Sequence, residues 1–461
     1  MSRQNLRTKE VLLDLGHTRL SVRVPEDADV LKMARAEPVR HPAQEVRRAL
    51  LHPISTRPLS EIVRIKRLAK PSTRAVIVIS DNTRPVPYTE EPGILIPIIE
   101  QLIKAGLQPA QICLLVATGT HRPMTEPELR KMLDPRVFAL NIPILQHDCR
   151  DAGMMVPVKI QETGASVSVN RVYVESDIKI LTGLVESHFM AGASGGRKSV
   201  CPGLVAEGST YALHSGPILN SPYATDLILE GNPVHEASLQ TARATGCDFI
   251  VNATLNSDFC LTGVFAGELD EAHRKAVEKL KTYAAIPARK TYDMVITHTG
   301  YVGVNHYQAA KGALVSVPVL REGGVCILAA VHPDKDPIGG ANYRQMIRLL
   351  TRLGSDRFLE KILDPSWEFV PEQWEAQMWT RLFRKTRPEN LIYATLDIPP
   401  EDFDGLPAKD ARDLIPDAED LPGLANGAVR WGLETLEKRL GRAPKIAVLQ
   451  DGPYGIPLPE K

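Results

Sequence analysis

Four strand-like runs in this chain end in loops rich in acids, bases and cations. These loops hold most of the side chains that could do chemistry. Residues 75–79 lead into Ser80-Asp81-Asn-Thr-Arg84-Pro, and residues 111–117 lead into Thr118-Gly-Thr-His121-Arg122-Pro. A third run ends at His147-Asp148. The fourth, 178–185, opens on His188-Phe-Met-Ala-Gly192-Ala-Ser194-Gly195-Gly196-Arg197-Lys198-Ser-Val-Cys-Pro-Gly203, with His214 a little beyond. Histidine titrates near neutrality and can both take and return a proton. Arginine grips carboxylates with a two-pronged fork. Glycines let backbone N–H groups converge on an anion without interference from a Cβ, so the loop with Arg197 and Lys198 suits a phosphate or carboxylate. It is not a P-loop, because G-x-x-x-x-G-K-[ST] needs glycine at 197. Further along, Gln308 and Lys311 follow another strand-like run, 292–297.

The elements that must hold these loops are legible from apolar patterning. Runs 75–79 and 111–117 are continuously apolar, as in a parallel strand buried on both faces. A helix is expected at 93–105, and Thr125-Glu-Pro-Glu128 is a capping box opening a helix at 127–133. A third strand is expected at 137–145, an exposed strand at 166–175 and an amphipathic helix at 270–284. The N-terminus reads as a hairpin, 11–16 with 20–24, followed by helical patches at 28–36 and 44–51, the latter packing Val46, Leu50 and Leu51 inward. Residues 286–290 read as a linker. A second α/β segment follows, with strands at 292–297, 324–330 and 445–449, helices at 307–315 and 367–383, and an irregular stretch at 396–419. The alternation implies an α/β fold: two α/β domains with mainly parallel sheets, 1–285 and 291–461, and the active site in the cleft between them. In such sheets ligands sit beyond the carboxyl ends of the strands.

Composition narrows the function classes. Lys+Arg and Asp+Glu are both 55, so the formal net charge is zero and no nucleic-acid footprint is expected. The six cysteines are scattered without a C-x-x-C pair, which fits a reducing cytoplasm and no cysteine zinc site. No apolar run reaches membrane-spanning length and the first residues carry no signal-peptide core, so a cytoplasmic location is expected. Each polar residue above also has a plain structural reading, as a turn brace or a solvated face. Composition and spacing alone do not choose a reaction.

Five motifs, in order, resemble the nickel-pincer lactate racemase family: Ser80-Asp-Asn-Thr-Arg-Pro, Ala117-Thr-Gly-Thr-His-Arg-Pro, the long 188–203 stretch, Gly231-Asn-Pro-Val-His235-Glu and Tyr307-Gln-Ala-Ala-Lys-Gly312. The resemblance implies a 2-hydroxy acid racemase or epimerase. Its cofactor would be the nickel-pincer nucleotide, a nickel pyridinium-3,5-bisthiocarboxylic acid mononucleotide loaded by cofactor-synthesis enzymes and attached covalently at Lys198. His214 would be the nickel ligand, since imidazole suits a planar Ni(II) field. Arg197 with Gly192, Ser194, Gly195 and Gly196 would hold the mononucleotide. Hydride would leave C2 for the cofactor while His121 and His188 act as alternate acid and base. Asp81 matches a family active-site acid. Arg84 would bind the substrate carboxylate, and Gln308, Lys311 and Trp374 (in preference to Trp367) would orient substrate. The segments 300–308 and 329–340 depart from the lactate-active pattern, which implies a substrate other than, or broader than, lactate. The competing readings are a pyridoxal-phosphate enzyme with Lys198 as Schiff-base lysine, and a non-catalytic nickel- or mononucleotide-binding protein.

Overall fold

The computed structural model describes residues 7–89 and 93–459. The chain divides into two units: one is Arg35–His214 with Ser221–Tyr283, the other Ala284–Lys461 with Ser215–Asn220 and the chain up to Ala34.

The first unit is built on a six-stranded sheet in the order Leu261–Gly267, Phe249–Leu255, Ile178–Leu184, Ala75–Ser80, Ile112–Ala117, Ile144–Gln146. All neighbours pair in parallel except the edge hairpin of Leu261–Gly267 with Phe249–Leu255. Ala75, Val76, Ile77, Val78 and Ile79 are all buried, as in a parallel strand covered on both faces. The chain runs outward from Ala75–Ser80 through two further strands, then returns to lay Ile178–Leu184 on the other side of the first strand. That reversal opens a crevice at the carboxyl ends of those two neighbouring strands.

The second unit has its own six-stranded, wholly parallel sheet: Lys409–Asp410, Leu391–Ala394, Leu320–Ala329, Tyr292–His298, Ile446–Leu449, Asp29–Leu31. Its order also reverses, beside Tyr292–His298. The hairpin of Thr8–Asp14 and Arg19–Pro25 packs Leu13, Leu20 and Val22 into this unit's core, with Leu424 and Val429 of the helix Leu421–Leu440.

Several expectations are corrected. The N-terminal domain does not begin at residue 1: Asp29–Leu31 is a strand paired with Ile446–Leu449, which carries the first residues into the other unit, and 28–36 is not a helix. Residues 286–290 are not a free linker, since Ala285–Ala288 pairs in parallel with Ile456–Pro459. The stretch 137–145 splits into the short helix Pro135–Ala139, capped by Asp134, and the strand Ile144–Gln146. Likewise 166–175 is the strand Ser166–Asn170 followed by a turn of helix capped by Asn170. In the helix Pro42–Leu51, Val46 and Leu50 are buried but Leu51 is exposed. The irregular stretch 396–419 contains the edge strand Lys409–Asp410. The capping box forms as expected: Thr125 accepts from the Glu128 amide, and Glu128 accepts from the Thr125 amide at 2.7 Å.

Candidate active site

Asp81 and His121 follow adjacent strands, Ala75–Ser80 and Ile112–Ala117, and meet at their carboxyl ends. His121 Nδ1 lies 2.7 Å from Asp81 Oδ2. Asp81 is buried and also accepts from the Thr83 amide and hydroxyl. Burial alone would raise its carboxyl pKa. The bonds from His121 and Thr83 outweigh burial and hold it below the ordinary carboxylate value. Ionised Asp81 fixes the proton of His121 on Nδ1, so Nε2 keeps its lone pair. The His121 side chain is 55% exposed, enough for that nitrogen to be approached by a small molecule. Its loop is tied down by Gly119 N donating to Gly203 O at 3.0 Å and His121 N donating to Thr118 O at 2.9 Å.

His188 follows the third strand of this crevice, Ile178–Leu184, and is hydrogen-bonded in the opposite sense. Its Nδ1 accepts from the amides of Met190 and Ala191, at 3.3 and 3.2 Å. An acceptor Nδ1 places the proton of the neutral ring on Nε2. Three contacts set the loop: Ser187 Oγ donates to Asp226 at 2.6 Å, Asn232 Nδ2 donates to Met190 O at 3.0 Å, and Ser194 Oγ donates to Leu184 O at 2.7 Å. Arg84 is ion-paired with Glu186, Nε to Oε1 at 3.0 Å, which links the Asp81 loop to the His188 loop.

The glycine loop, expected to cradle an anion, is a tightly packed turn. A Cβ on Gly192 would stand 2.0 Å from Ile228 O, one on Gly195 2.7 Å from Val185 Cγ2, and one on Gly196 2.9 Å from His273 Cδ2. Protein packs closely against the Cα of each of these glycines. The amides of Ser194, Gly196 and Lys198 donate to Glu186 O, Asn252 Oδ1 and Gly195 O. Ser194 closes the loop, as described above. Arg197 also turns inward. Its guanidinium is 1% exposed and donates to Ala191 O at 2.8 Å and Gly195 O at 3.2 Å, beside His273 at 3.0 Å. Burial pushes its pKa down to about 9. Arg197 therefore braces the turn and does not present a cation to a phosphate. Alanine at Gly195, where φ is +77°, is expected to destabilise the unit by about 1–3 kcal/mol in a denaturant titration.

Within 191–200, Lys198 is the one residue that is not buried. It emerges from the short 3-10 turn Gly196–Ser199 and acts electrostatically on His214. His214 ends the helix Glu207–Leu213, with Nδ1 2.8 Å from Thr210 O. That bond puts the proton on Nδ1 and the lone pair of the neutral ring on Nε2. Burial pushes its pKa down to about 4, so the ring is neutral near pH 7. A neutral imidazole oriented through its far nitrogen is the form that ligates metals.

In the second unit, the helix His306–Leu314 is capped by Asn305, whose Oδ1 accepts from the Gln308 amide at 3.0 Å. Tyr307, Gln308 and Lys311 form its half-buried face, while Ala309, Ala310 and Gly312 are buried. Trp374 Nε1 donates to Tyr307 Oη at 2.7 Å, which brings this tryptophan to the helix of Gln308 and Lys311. Trp367 instead bonds Gln373 at 2.9 Å and lies under Lys361. His147 is structural: it is buried, with Nε2 3.1 Å from Val205 O and Nδ1 3.1 Å from Asn170. Sequence reasoning missed Glu186, whose partner is distant in sequence, and gave no role to Asn232, although it stands in the motif Gly231-Asn-Pro-Val-His235-Glu as the asparagine of an Asn-Pro pair at a helix start.

Among the described residues, no three His, Cys, Asp or Glu side chains cluster to hold a metal, and no helix is long and apolar enough to cross a membrane.

Residues 15–226 match the lactate racemase N-terminal domain, and residues 288–414 match the lactate racemase C-terminal domain. The lactate racemase of Lactiplantibacillus plantarum is 31% identical over 89% of each chain. The chain belongs to the lactate racemase family. The corresponding enzyme of Thermoanaerobacterium thermosaccharolyticum is 32% identical over 73% of this chain and 76% of its own. The apoprotein structure of a lactate racemase from that organism superposes with a TM-score of 0.83 at 27% identity, covering 98% of this chain and all of the other. A Thermotoga maritima protein shares the fold alone, with a TM-score of 0.57 at 17% identity. The family places the chain among the isomerases, as a racemase.

Proposed function

We propose that this lactate racemase family member racemises or epimerises a small 2-hydroxy acid, lactate or a relative of it, on a nickel-pincer nucleotide held at Lys198 and His214. The observation that carries this reading is the opposite hydrogen bonding of two histidines after strands that flank Ala75–Ser80. His121 offers a lone pair at Nε2 and His188 offers a proton there. The residues fit the cofactor: Lys198 is the half-buried residue of an otherwise buried loop, and His214 is a neutral imidazole oriented through Nδ1. When bound, the cofactor would supply the acceptor for hydride leaving C2. With no protein metal cluster among the described residues, the other nickel donors would come from the cofactor itself. Loading would depend on cofactor-synthesis enzymes.

This chain's own groups would handle protons and orientation. Converting one enantiomer, His121 Nε2 takes the hydroxyl proton while Asp81 stabilises the resulting imidazolium. Returning the oxygen proton on the other face falls to His188, which must first be protonated to imidazolium, since a neutral ring giving up its Nε2 proton would be left as imidazolate. In the imidazolium, and in the tautomer that serves as base in the reverse direction, Nδ1 carries a proton, so His188 must release the Met190 and Ala191 amides, and contacts of 3.2–3.3 Å are weak enough to give up. Arg84 holds the substrate carboxylate through nitrogens beyond the Nε used by Glu186.

The test is a racemisation assay over a panel of 2-hydroxy acids deuterated at C2, with protein co-expressed with the cofactor-making enzymes. Deuterium is expected to be retained in the product enantiomer. Washout to solvent would indicate proton abstraction at carbon and would overturn the hydride reading.

A further inference from the structure

Tyr88 is a buried tyrosine whose hydroxyl lies where the crevice of the first unit opens. Ala75–Ser80 stays paired with Ile112–Ala117 up to Ser80 opposite Ala117, but pairs with Ile178–Leu184 only as far as Val78 opposite Leu181. On that side, hydroxyl groups take over where the ladder ends. Thr182 Oγ1 donates to Val78 O at 2.7 Å. Tyr88 Oη lies 2.7 Å from Thr182 Oγ1, and Ser80 N donates to Tyr88 Oη at 2.8 Å. The direction of each bond follows from the donors available. A carbonyl only accepts, so the Thr182 proton goes to Val78 O. Tyr88 must then donate to Thr182, and its oxygen accepts from Ser80. Burial pushes the Tyr88 pKa up to about 12, so its proton is present near neutrality. The chain doubles back to bring Tyr88 here: Val86 N donates to Arg84 O at 2.9 Å, and Tyr88 N donates to Val86 O at 2.8 Å. The loop that carries Asp81 and Arg84 is thus closed at its base by its own tyrosine.

We propose that Tyr88 is a positioning residue: its hydroxyl, with that of Thr182, clasps the two strands where their ladder has ended and fixes Ser80, and through Ser80 the carboxylate of Asp81. The role rests on the reading of Asp81 as the group that orients His121, and the clasp itself can be tested apart from that reading. Arg84, on the same loop, has its own anchor in Glu186, so the effect runs through Asp81.

The first experiment needs no turnover. Tyr88→Phe keeps the ring and removes both bonds of the hydroxyl. Amide hydrogen exchange of the full-length protein, read by peptide mass, is expected to be about tenfold faster over 80–84, the effect of one lost hydrogen bond on a local opening equilibrium. Thr182→Val is the second variant: it keeps the side-chain outline, takes the acceptor away from Tyr88, and is expected to speed the same peptide. Unchanged exchange over 80–84 in either folded variant overturns the clasp. The second experiment measures kcat/KM of the loaded enzyme. Tyr88→Phe is expected to lower it about 10–100-fold, the range in which a small misplacement of a catalytic group falls. In an Asp81→Asn background the same change should cost nothing more, whereas a merely structural loss would persist there. Equal losses in the two backgrounds overturn the positioning role. Faster exchange with unchanged kcat/KM leaves the clasp standing and overturns its role in placing Asp81. Parent-level turnover in Asp81→Asn alone would overturn the reading of Asp81, and the positioning role with it, while the exchange result still decides the clasp.

Discussion

His121→Ala is expected to lower racemisation in both directions by at least about 10²–10⁴-fold, the usual worth of a positioned acid or base. The side chain is half exposed at a strand end, so the melting temperature should move little. Both directions suffer because a proton taken by one histidine on the way to the ketone is returned by the other on the opposite face. Initial rates from each pure enantiomer, followed by chiral chromatography, check this. Loss in neither direction would mean that His188 alone can serve as both acid and base, since the equilibrium constant ties kcat/KM in one direction to kcat/KM in the other. Asp81→Asn is the companion test: it keeps the bulk but no longer fixes the Nδ1 proton, so turnover should fall toward the same level. The dyad also sets an acid limit. The Asp81 carboxyl is held below its ordinary value in the folded protein, so its bond to His121 is complete above the usual carboxylate range. The bond is lost only as pH falls through that lowered value.

Where one local signal decided the outcome, the sequence was readable. The apolar run at Ala75–Ser80, the capping box at Thr125 and the helix of Tyr307, Gln308 and Lys311 all stand where patterning put them. Misreadings came where a distant partner overrode local pattern. Asp29–Leu31 looks helical by itself and becomes a strand because Ile446–Leu449, more than 400 residues later, supplies an edge. The site divides in the same way. Residue types at strand ends located Asp81, His121 and His188. Spacing could not show that Asp81 orients His121, that Glu186 pairs with Arg84, or that Arg197 turns inward. A glycine–arginine–lysine turn has two physical solutions, an open anion nest or a close-packed corner. The choice lies with Ile228, Val185, Asn252 and His273, which fill the space beside the glycines.

Lys198→Ala is expected to abolish the covalent adduct and all turnover, while leaving the fold intact. The reasoning begins with exposure. In 191–200 every other residue is buried against protein, so removing the Lys198 side chain opens no cavity in the core. The turn is held by Arg197, Ser194 and Asn252, none of which bonds through the Lys198 side chain. Denaturant unfolding should therefore match the parent within about 0.5 kcal/mol. Intact mass after co-expression with the cofactor-making enzymes reads the adduct directly, independent of activity. His214→Ala separates the tether from the metal: it should keep the added mass and lose nickel, because its imidazole supplies a nitrogen donor and no covalent bond to the mononucleotide. If the Lys198 variant keeps the added mass, the tether lies elsewhere. If the His214 variant keeps full nickel, the Nε2 opposite the Thr210 bond is not the ligand, and the nitrogen donor must be sought among the histidines of the neighbouring loops.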